Sequence, residues 1–370
     1  MKILHVVPSM GRSQGGPSDS VPMTAMAQKA AGLEVAIAFC EYGKLSLRAE
    51  EAERRGVRLI KFKGRQSSLN CIAFSVDFLL RFASIAAEYD VIHTHAQWLF
   101  PVWWAAHVAR RLGKKLVMMP RGSFEPERLR KSAWKKKLVG WIDKHYAICA
   151  DSIWATAESE ADGVRLFAPQ SHVEVFPIGL NFESYSLSRQ AGKTLLFFSR
   201  ISPIKGLDML AEAWSRVNDS GWKLLIVGPD DRGYTEEIKK VFERKCPGGS
   251  YEFRGPVYGD DKFRLLSSVD GFILPTRNEN WGIAVAEAMA SGLPTICSKG
   301  APWRCLERER AGWWTDINVQ ATENALKELM SLTREQRLKM GANGRRWVED
   351  NLSWEKIGNA MKASYEKCIK

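Results

Sequence analysis

The 370-residue chain predicts an α/β protein of two doubly wound, Rossmann-like domains, and three observations carry that expectation. Its length exceeds the roughly 250–300 residues at which a single core stops growing, so two cores are expected. Short apolar or β-branched runs alternate with longer helical patterns, as in βαβ units and parallel sheets. Hydrophobic residues (45%) and charged residues (26%) stand near globular averages without a low-complexity tract, which excludes disorder, collagen and coiled coil.

Strands of the first half are read at Lys2 to Val7, Val35 to Phe39, Arg58 to Phe62, Val91 to Thr94, Lys115 to Met119, Ser152 to Thr156 and Val173 to Phe176. Pro177-Ile178-Gly179 breaks the pattern, and the Ser-rich polar stretch Asn181 to Lys193 follows. Domains at 1–180 and 194–350, joined by a linker at 181–193, are therefore expected. Strands of the second half are read at Thr194 to Ser199, Lys223 to Val227, Tyr251 to Arg254, Gly271 to Leu274, Thr295 to Cys297 and Trp313 to Trp314. Helical patterns such as Gly206 to Val217 and Ala321 to Leu332 separate them. In the last segment, 351–370, Trp354, Ile357, Met361 and Tyr365 fall at helical spacing after a candidate N-cap Ser353, so a helix packing back across the domains is expected. Open α/β sheets bind ligands at their carboxyl ends, and two of them predict a two-sided cleft.

No apolar stretch reaches the ~18–20 residues of a membrane span, and the first residues read as a strand rather than a signal peptide. Seven scattered cysteines without a Cys-x-x-Cys pair read as reduced thiols of a cytoplasmic protein without structural zinc. Of the formal net charge of +12, the stretch Arg110 to Lys144 supplies +9, with twelve basic residues against Glu125, Glu127 and Asp143. Such a field attracts an anionic partner: lipid, phosphorylated substrate or nucleic acid. Within 128–144, Trp134, Leu138 and Trp141 share a helical face amid lysines and arginines, which suits either docking on the inner face of an anionic membrane or an apolar stripe turned to the core. No recognised nucleic-acid module surrounds the stretch, so no nucleic-acid partner is expected.

Two segments carry chemistry. After the strand at 194 comes Ser199-Arg200-Ile201-Ser202-Pro203-Ile204-Lys205-Gly206, with two cations before a helix. A guanidinium, an ammonium and free helix amides suit a diphosphate, although an ordinary exposed loop has the same composition. The second segment runs from Leu274 to Pro294, presenting Glu279 in a polar loop and Glu287 in an Ala-rich helix that begins near Gly282. Carboxylates accept paired sugar hydroxyls, and the helix N-terminus between them offers amides to phosphate.

Glu279 and Glu287 stand in a Glu-x7-Glu spacing within Glu-Asn-Trp-Gly-Ile-Ala-Val-Ala-Glu-Ala-Met-Ala-Ser-Gly-Leu-Pro. This wording resembles the signature of the family-4 retaining glycosyltransferases, which have the GT-B architecture and include bacterial lipopolysaccharide, O-antigen and exopolysaccharide sugar transferases. The resemblance extends to Phe253-Arg254-Gly255-Pro256-Val257 and to Pro120-Arg121-Gly122-Ser123-Phe124-Glu125-Pro126. It implies a UDP- or GDP-sugar donor and a saccharide or lipid-linked acceptor. It places the donor diphosphate on Arg200 and Lys205, the transferred sugar on Glu279 and the ribose on Glu287. Further donor contacts are implied at Gly15, Gly16, Gly228, Arg254, Asn280, Trp281, Gly282 and Ile283. The reaction it implies retains anomeric configuration, with the leaving phosphate helping to take the acceptor proton and electrostatic stabilisation as the main catalytic contribution. No two aspartates stand two apart, so no metal is expected, and no other cofactor; the Asp230-Asp231 and Asp260-Asp261 pairs beside Gly read as turns.

In the first half, Gly11, Gly15 and Gly16 precede a helix near Ser18 to Ala31 without the Gly-x-Gly-x-x-Gly spacing, which disfavours a dinucleotide-dependent enzyme. His93 and His95 point to one side of their strand; no acidic or cysteine partner accompanies them, so a polar wall is expected rather than a metal site. His95, nearer the carboxyl end, is the acceptor-side candidate. Relatives carry a histidine at the next strand end, where this chain has Arg121, which the resemblance puts on the acceptor side too. A non-catalytic partner subunit of the same fold and a basic nucleic-acid-binding protein are the competing readings.

Overall fold

The computed structural model describes residues 1–11, 16–64, 72–124, 133–187, 192–217 and 221–369, with backbone only for 133–139. The chain divides into two compact units, Met1–Gly179 with Trp354–Lys370, and Leu180–Ser353.

The first unit holds a seven-stranded parallel sheet: β1 Lys2–Val7, β2 Glu34–Glu41, β3 Arg58–Lys63, β4 Val91–His95, β5 Lys115–Met119, β6 Ser152–Ala155 and β7 Val173–Val175. Their order is β3-β2-β1-β4-β5-β6-β7, every pairing parallel, so the order reverses between β1 and β4. The strands read as continuous apolar runs because both faces are covered. On one face, Leu4, Val6, Ile92, Leu116 and Met118 pack with Phe78 and Phe82 of the helix Val76–Ala86 and with Ala105 and Ala109 of the helix Phe100–Arg111. On the other, Ile3, Val7, Ile37, Phe39 and Trp154 pack with Val21 and Ala25 of the helix Pro17–Ala30 and with Ile357, Met361 and Tyr365 of the helix Trp354–Ile369.

The C-terminal helix thus belongs to the first unit, anchored by three of the residues its spacing singled out. Burial of each contributes about 1.5–3 kcal/mol. It approaches the Pro17 helix closely: a Cβ on Gly358 would stand 2.7 Å from the backbone oxygen of Ala27.

The second unit holds a six-stranded parallel sheet of β8 Thr194–Phe198, β9 Lys223–Val227, β10 Tyr251–Arg254, β11 Gly271–Leu274, β12 Thr295–Ser298 and β13 Gly312–Thr315, ordered β10-β9-β8-β11-β12-β13. Here the order reverses between β8 and β11. The segment expected as a linker, 181–193, is folded into this unit where it is described. Phe182 lies under the Arg345 guanidinium at 5.5 Å, and the Tyr185 ring meets Phe263 edge-on at 4.9 Å. Two aromatic anchors outweigh the polar composition that suggested a linker.

Among the described residues no helix is long and apolar enough to cross a membrane. The described cysteines are all free thiols. Of the basic stretch 128–144, residues 128–132 and the side chains of 133–139, Trp134 and Leu138 included, lie outside the described part. Trp141 and Lys144 of the helix Ala133–Cys149 are exposed, Trp141 to 69%.

The contact at Gly358 sets a testable limit. Gly358→Ala should destabilise the chain by about 1–3 kcal/mol despite the better helix propensity of alanine, because its methyl meets backbone. Urea unfolding of the two proteins side by side measures this, and equal midpoints would refute the close packing.

Candidate functional site

The distinctive chemistry of the second unit gathers where its strand order reverses, at the carboxyl ends of β8 and β11. After β8 the chain runs through Ser199 to Ser202 and a 3-10 turn, Pro203–Lys205, into the left-handed Gly206 and the helix Leu207–Ser215. After β11 it passes Pro275, the polar loop and the left-handed Gly282 (φ +80°) into the helix Ile283–Ala290. The two loops are laced together. The Arg277 amide donates to the Ile204 carbonyl at 2.7 Å, and the Thr276 hydroxyl to the same oxygen at 3.1 Å. The Arg277 guanidinium donates to the Pro203 carbonyl and holds both Asp208 oxygens at 2.8 and 2.7 Å.

Within this frame the Lys205 ammonium, 7% exposed, pairs with the Glu279 carboxylate. The structure thus brings two of the predicted residues into one ion pair, linking the loops that carry them. Glu287, 6% exposed, lies in the second turn of its helix. It accepts hydrogen bonds from the Tyr185 hydroxyl at 2.9 Å and the Lys262 ammonium at 2.6 Å, both on Oε1. Neither Tyr185 nor Lys262 was singled out in the sequence; both reach Glu287 from distant segments that no local pattern connects to it.

Arg200 has a 59% exposed side chain, and among the described residues its nearest carboxylate oxygen is that of Asp231 at 4.0 Å. Asp230 accepts the Gly233 amide at 2.5 Å and the Thr235 amide at 2.7 Å, which makes it turn chemistry at the start of the helix Tyr234–Lys245. Arg254, exposed at the end of β10, pairs with Glu252 at 2.5 Å and borders a groove of about 680 Å³ with Pro256, Val257, Tyr258 and Arg264. Trp281 is buried against Trp303 at 4.9 Å, and its carbonyl accepts the Trp303 indole N–H, so its ring is structural. Asn280 is half-buried and Ile283 exposed beside it. Gly228, after β9, allows close approach: a Cβ there would stand 1.8 Å from the Ser199 carbonyl oxygen. That contact seats the Arg200 loop, so packing accounts for this glycine.

In the first unit the strand reversal lies between β1 and β4, and there His5, in register with His93, completes a cluster with His95. Sequence reasoning found two of the three; His5 is the single histidine of its strand, and only the register of β1 on β4 brings it to His93. All three are buried. Arg121 fixes their protons, since a guanidinium only donates. Its Nε donates to His95 Nδ1 at 3.2 Å, so His95 Nε2 donates to His5 Nδ1 at 2.7 Å, and His5 Nε2 donates to the Gln28 oxygen at 2.7 Å. The Gln28 amide donates to the Tyr365 hydroxyl at 3.2 Å, which in turn donates to His93 Nδ1 at 2.5 Å. His95, expected as an acceptor-side residue, is buried with both ring nitrogens engaged; it presents no free nitrogen and instead holds Arg121.

The same imidazoles are the group of His, Cys, Asp and Glu side chains among the described residues placed to hold a metal ion, with ligand atoms within 4.8 Å of one another. Five of their six ring nitrogens are already committed in the proton-ordered chain, and a guanidinium stands beside them, so the donor set fits a neutral network better than a dication. Arg121 is in the left-handed region (φ +52°), followed by Gly122 (φ +82°). That conformation costs an L-residue roughly 1–2 kcal/mol. The buried Glu160 secures it by accepting the Gly122 amide, while its other oxygen accepts the Thr156 amide and hydroxyl at 2.8 and 2.7 Å. Gly16 is the N-cap of the Pro17 helix, at φ −50° and exposed, and Gly15 lies outside the described residues.

Comparison with known proteins bears on both units. The family description "Glycosyl transferase 4-like domain" matches residues 15–179, and "Glycosyl transferases group 1" matches residues 192–331. The chain is 26% identical over 342 residues to a GDP-mannose:cellobiosyl-diphosphopolyprenol alpha-mannosyltransferase of Xanthomonas campestris, covering 89% of this chain and 87% of that one. It is 27% identical over 215 residues to a GDP-mannose-dependent alpha-(1-6)-phosphatidylinositol monomannoside mannosyltransferase of Mycobacterium tuberculosis, covering 52% and 55%. Among solved structures, sucrose-phosphate synthase of Thermosynechococcus elongatus superposes with a TM-score of 0.80 at 18% identity, covering 99% and 98%. HepE of Anabaena, in complex with UDP and glucose, gives 0.78 at 17%, covering 99% and 100%.

The histidine cluster predicts a pH dependence. Burial pulls His5 down to about 4 and His93 and His95 well below the ordinary histidine range, and the Arg121 charge pushes the same way. Unfolded histidines titrate near ~6.5. Stability is therefore whole above that pH and is lost as pH falls toward 4, because the unfolded chain takes up protons the fold refuses. The loss should reach about 1.4 kcal/mol per pH unit for each histidine. Urea midpoints at pH 7.5, 6 and 5 measure the slope; His93→Gln should reduce it, and an unchanged slope would reject the neutral assignment.

Proposed function

Because the chain belongs to the family-4 glycosyltransferases and has their two-domain GT-B architecture, we propose that it transfers a sugar from a UDP- or GDP-sugar to a saccharide or lipid-linked acceptor, retaining anomeric configuration, without a metal ion, in the assembly of bacterial lipopolysaccharide or another surface polysaccharide. The names of the relatives favour GDP-mannose as donor and a diphosphate-linked lipid saccharide as acceptor.

The observation that carries this reading is the Lys205–Glu279 pair at the strand reversal of the second unit, with Glu287 eight residues further on in the second turn of the helix that follows. In the proposed complex Arg200 and Lys205 hold the donor diphosphate. Glu279 and Glu287 accept hydroxyls of the sugar and the ribose, and the groove beside Arg254 receives the nucleoside. Donor binding gives the buried ammonium a second anionic partner and so exchanges partners rather than stripping a charge bare. As the bond from anomeric carbon to diphosphate oxygen breaks, an acceptor hydroxyl oxygen forms the new bond on the same face. Its proton passes to the departing phosphate, whose growing charge Arg200 and Lys205 stabilise. Exposed Trp141 and Lys144 support peripheral contact of the Ala133–Cys149 helix with an anionic membrane surface.

Calorimetry with UDP and with GDP, each with and without EDTA, tests the donor site. One nucleotide should bind in the presence of chelator, and Arg200→Ala should weaken it at least tenfold. Binding of neither would reject the reading.

The two members of the ion pair should separate kinetically. Glu279→Gln, which leaves Lys205 a neutral acceptor, should lower transfer at least 100-fold with nucleotide affinity nearly intact, whereas Lys205→Met should weaken both. Wild-type transfer by Glu279→Gln would remove Glu279 from the site. The anomeric coupling of the product, read by proton NMR, decides retention.

A further inference from the structure

The Glu287 carboxylate is held by one oxygen. The Tyr185 hydroxyl at 2.9 Å and the Lys262 ammonium at 2.6 Å converge on Oε1, and among the described residues no donor is bonded to Oε2. A carboxylate oxygen has about two lone-pair sites, so Oε1 is filled by protein and Oε2 is left to accept from a ligand.

The two donors supply different things. Lys262 supplies charge, without which a carboxylate this enclosed would destabilise the fold. Tyr185 supplies direction, because it carries one donor on a rigid ring and the residue is pinned at several points. It is buried, and its ring meets Phe263 edge-on at 4.9 Å. Its carbonyl accepts from Arg345 Nη1 at 3.0 Å, and the same Nη1 donates to the carbonyl of Ala290, the last residue of the helix that carries Glu287. One guanidinium therefore ties the backbone of Tyr185 to the end of the Glu287 helix, and the phenol closes the link from the side-chain end. Packing on Phe263 requires only a ring; the hydroxyl serves the carboxylate.

We propose that Tyr185 is a positioning residue for donor recognition: it fixes the Glu287 carboxylate so that Oε2 accepts the ribose hydroxyls, and thereby sets the preference for a ribonucleotide over its deoxy forms. This rests on the reading of Glu287 as the ribose acceptor, and it adds the residue through which that carboxylate is aimed. The ribose hydroxyls meet an oxygen placed before binding, and a nucleotide that lacks them leaves that oxygen desolvated and unpaired. Without the phenol hydroxyl the carboxylate gains freedom that must be lost on binding, and the loss falls only on nucleotides that use it.

The test is calorimetric titration of wild type and Tyr185→Phe with whichever of UDP and GDP the chain binds, and with the 2′,3′-dideoxy form of the same nucleotide. Wild type should bind the ribonucleotide about tenfold more tightly than the dideoxy form. Tyr185→Phe keeps the ring on Phe263; it should lose roughly threefold or more in ribonucleotide affinity, with dideoxy affinity unchanged, so that the preference shrinks. In a Glu287→Gln background the same substitution should leave both affinities where they were, because the carboxylate it acts through is gone. A merely structural hydroxyl would lower the thermal unfolding temperature and both affinities together. Equal weakening of the two nucleotides, a preference unchanged from wild type or absent in it, or the same loss in the Glu287→Gln background would overturn the proposal. Wild type binding neither UDP nor GDP rejects the donor-site reading and this inference with it, whereas binding with an unmoved preference rejects the inference alone.

Discussion

An ammonium group with almost no access to water must be matched by an acceptor or it destabilises the fold, and in the second unit Lys205 is matched by Glu279 across the strand reversal. The rest of that region is arranged around the match. Lys205 closes a short 3-10 turn and Glu279 lies in an irregular loop, so neither position is set by regular structure. Geometry comes instead from the Arg277 clamp, which ties the second loop to the first through the Pro203 and Ile204 carbonyls and the Asp208 carboxylate. The clamp is more exposed than the pair it fixes. Such a pair contributes little net stability, because desolvation offsets its attraction. It makes better sense as a stored set of charges whose partners can be exchanged.

The first unit meets the same topological problem with the opposite chemistry. Its strand reversal is filled by three neutral imidazoles, an amide and a phenol, with charge confined to Arg121 at the end of the chain of hydrogen bonds. The C-terminal helix is part of that solution, since Tyr365 supplies both an acceptor for Gln28 and the donor to His93. A neutral network of this kind transmits orientation without spreading charge, which leaves the single guanidinium undiminished.

Much of this was legible in the sequence because parallel strands buried on both faces must be continuous apolar runs. Each of the thirteen strands read from the chain has a counterpart, with ends differing by one or two residues where caps and turns decide. The Lys205–Glu279 pair of the second-unit candidate site was approachable as well, because both residues lie in short segments whose composition stands out. What stayed hidden depends on contacts between distant segments. Tyr185 and Lys262 converge on Glu287 from 102 and 25 residues away. Phe182 and Tyr185 made a Ser-rich stretch part of a domain. His95 looked accessible because a strand end usually is, and only packing with His5 and Arg121 shows that it is enclosed.

In a chain with 54 lysines and arginines, charge alone does not separate functional cations from structural ones, but pairing does. Arg277 is committed to Asp208 through two hydrogen bonds, and Arg254 to Glu252; each is neutralised where it stands and an anion would gain little from either. Lys205 and Lys262 rest on the two carboxylates that a polyhydroxylated ligand would claim, so their charge becomes available only as those acceptors are engaged. Among the described residues, Arg200 comes no nearer a carboxylate oxygen than 4.0 Å, and Arg121 hydrogen-bonds to neutral groups while the charge of the nearby buried Glu160 supports its own. One stands at the carboxyl end of β8 and the other just past that of β5, the edge of an open α/β sheet where a phosphate is expected to bind.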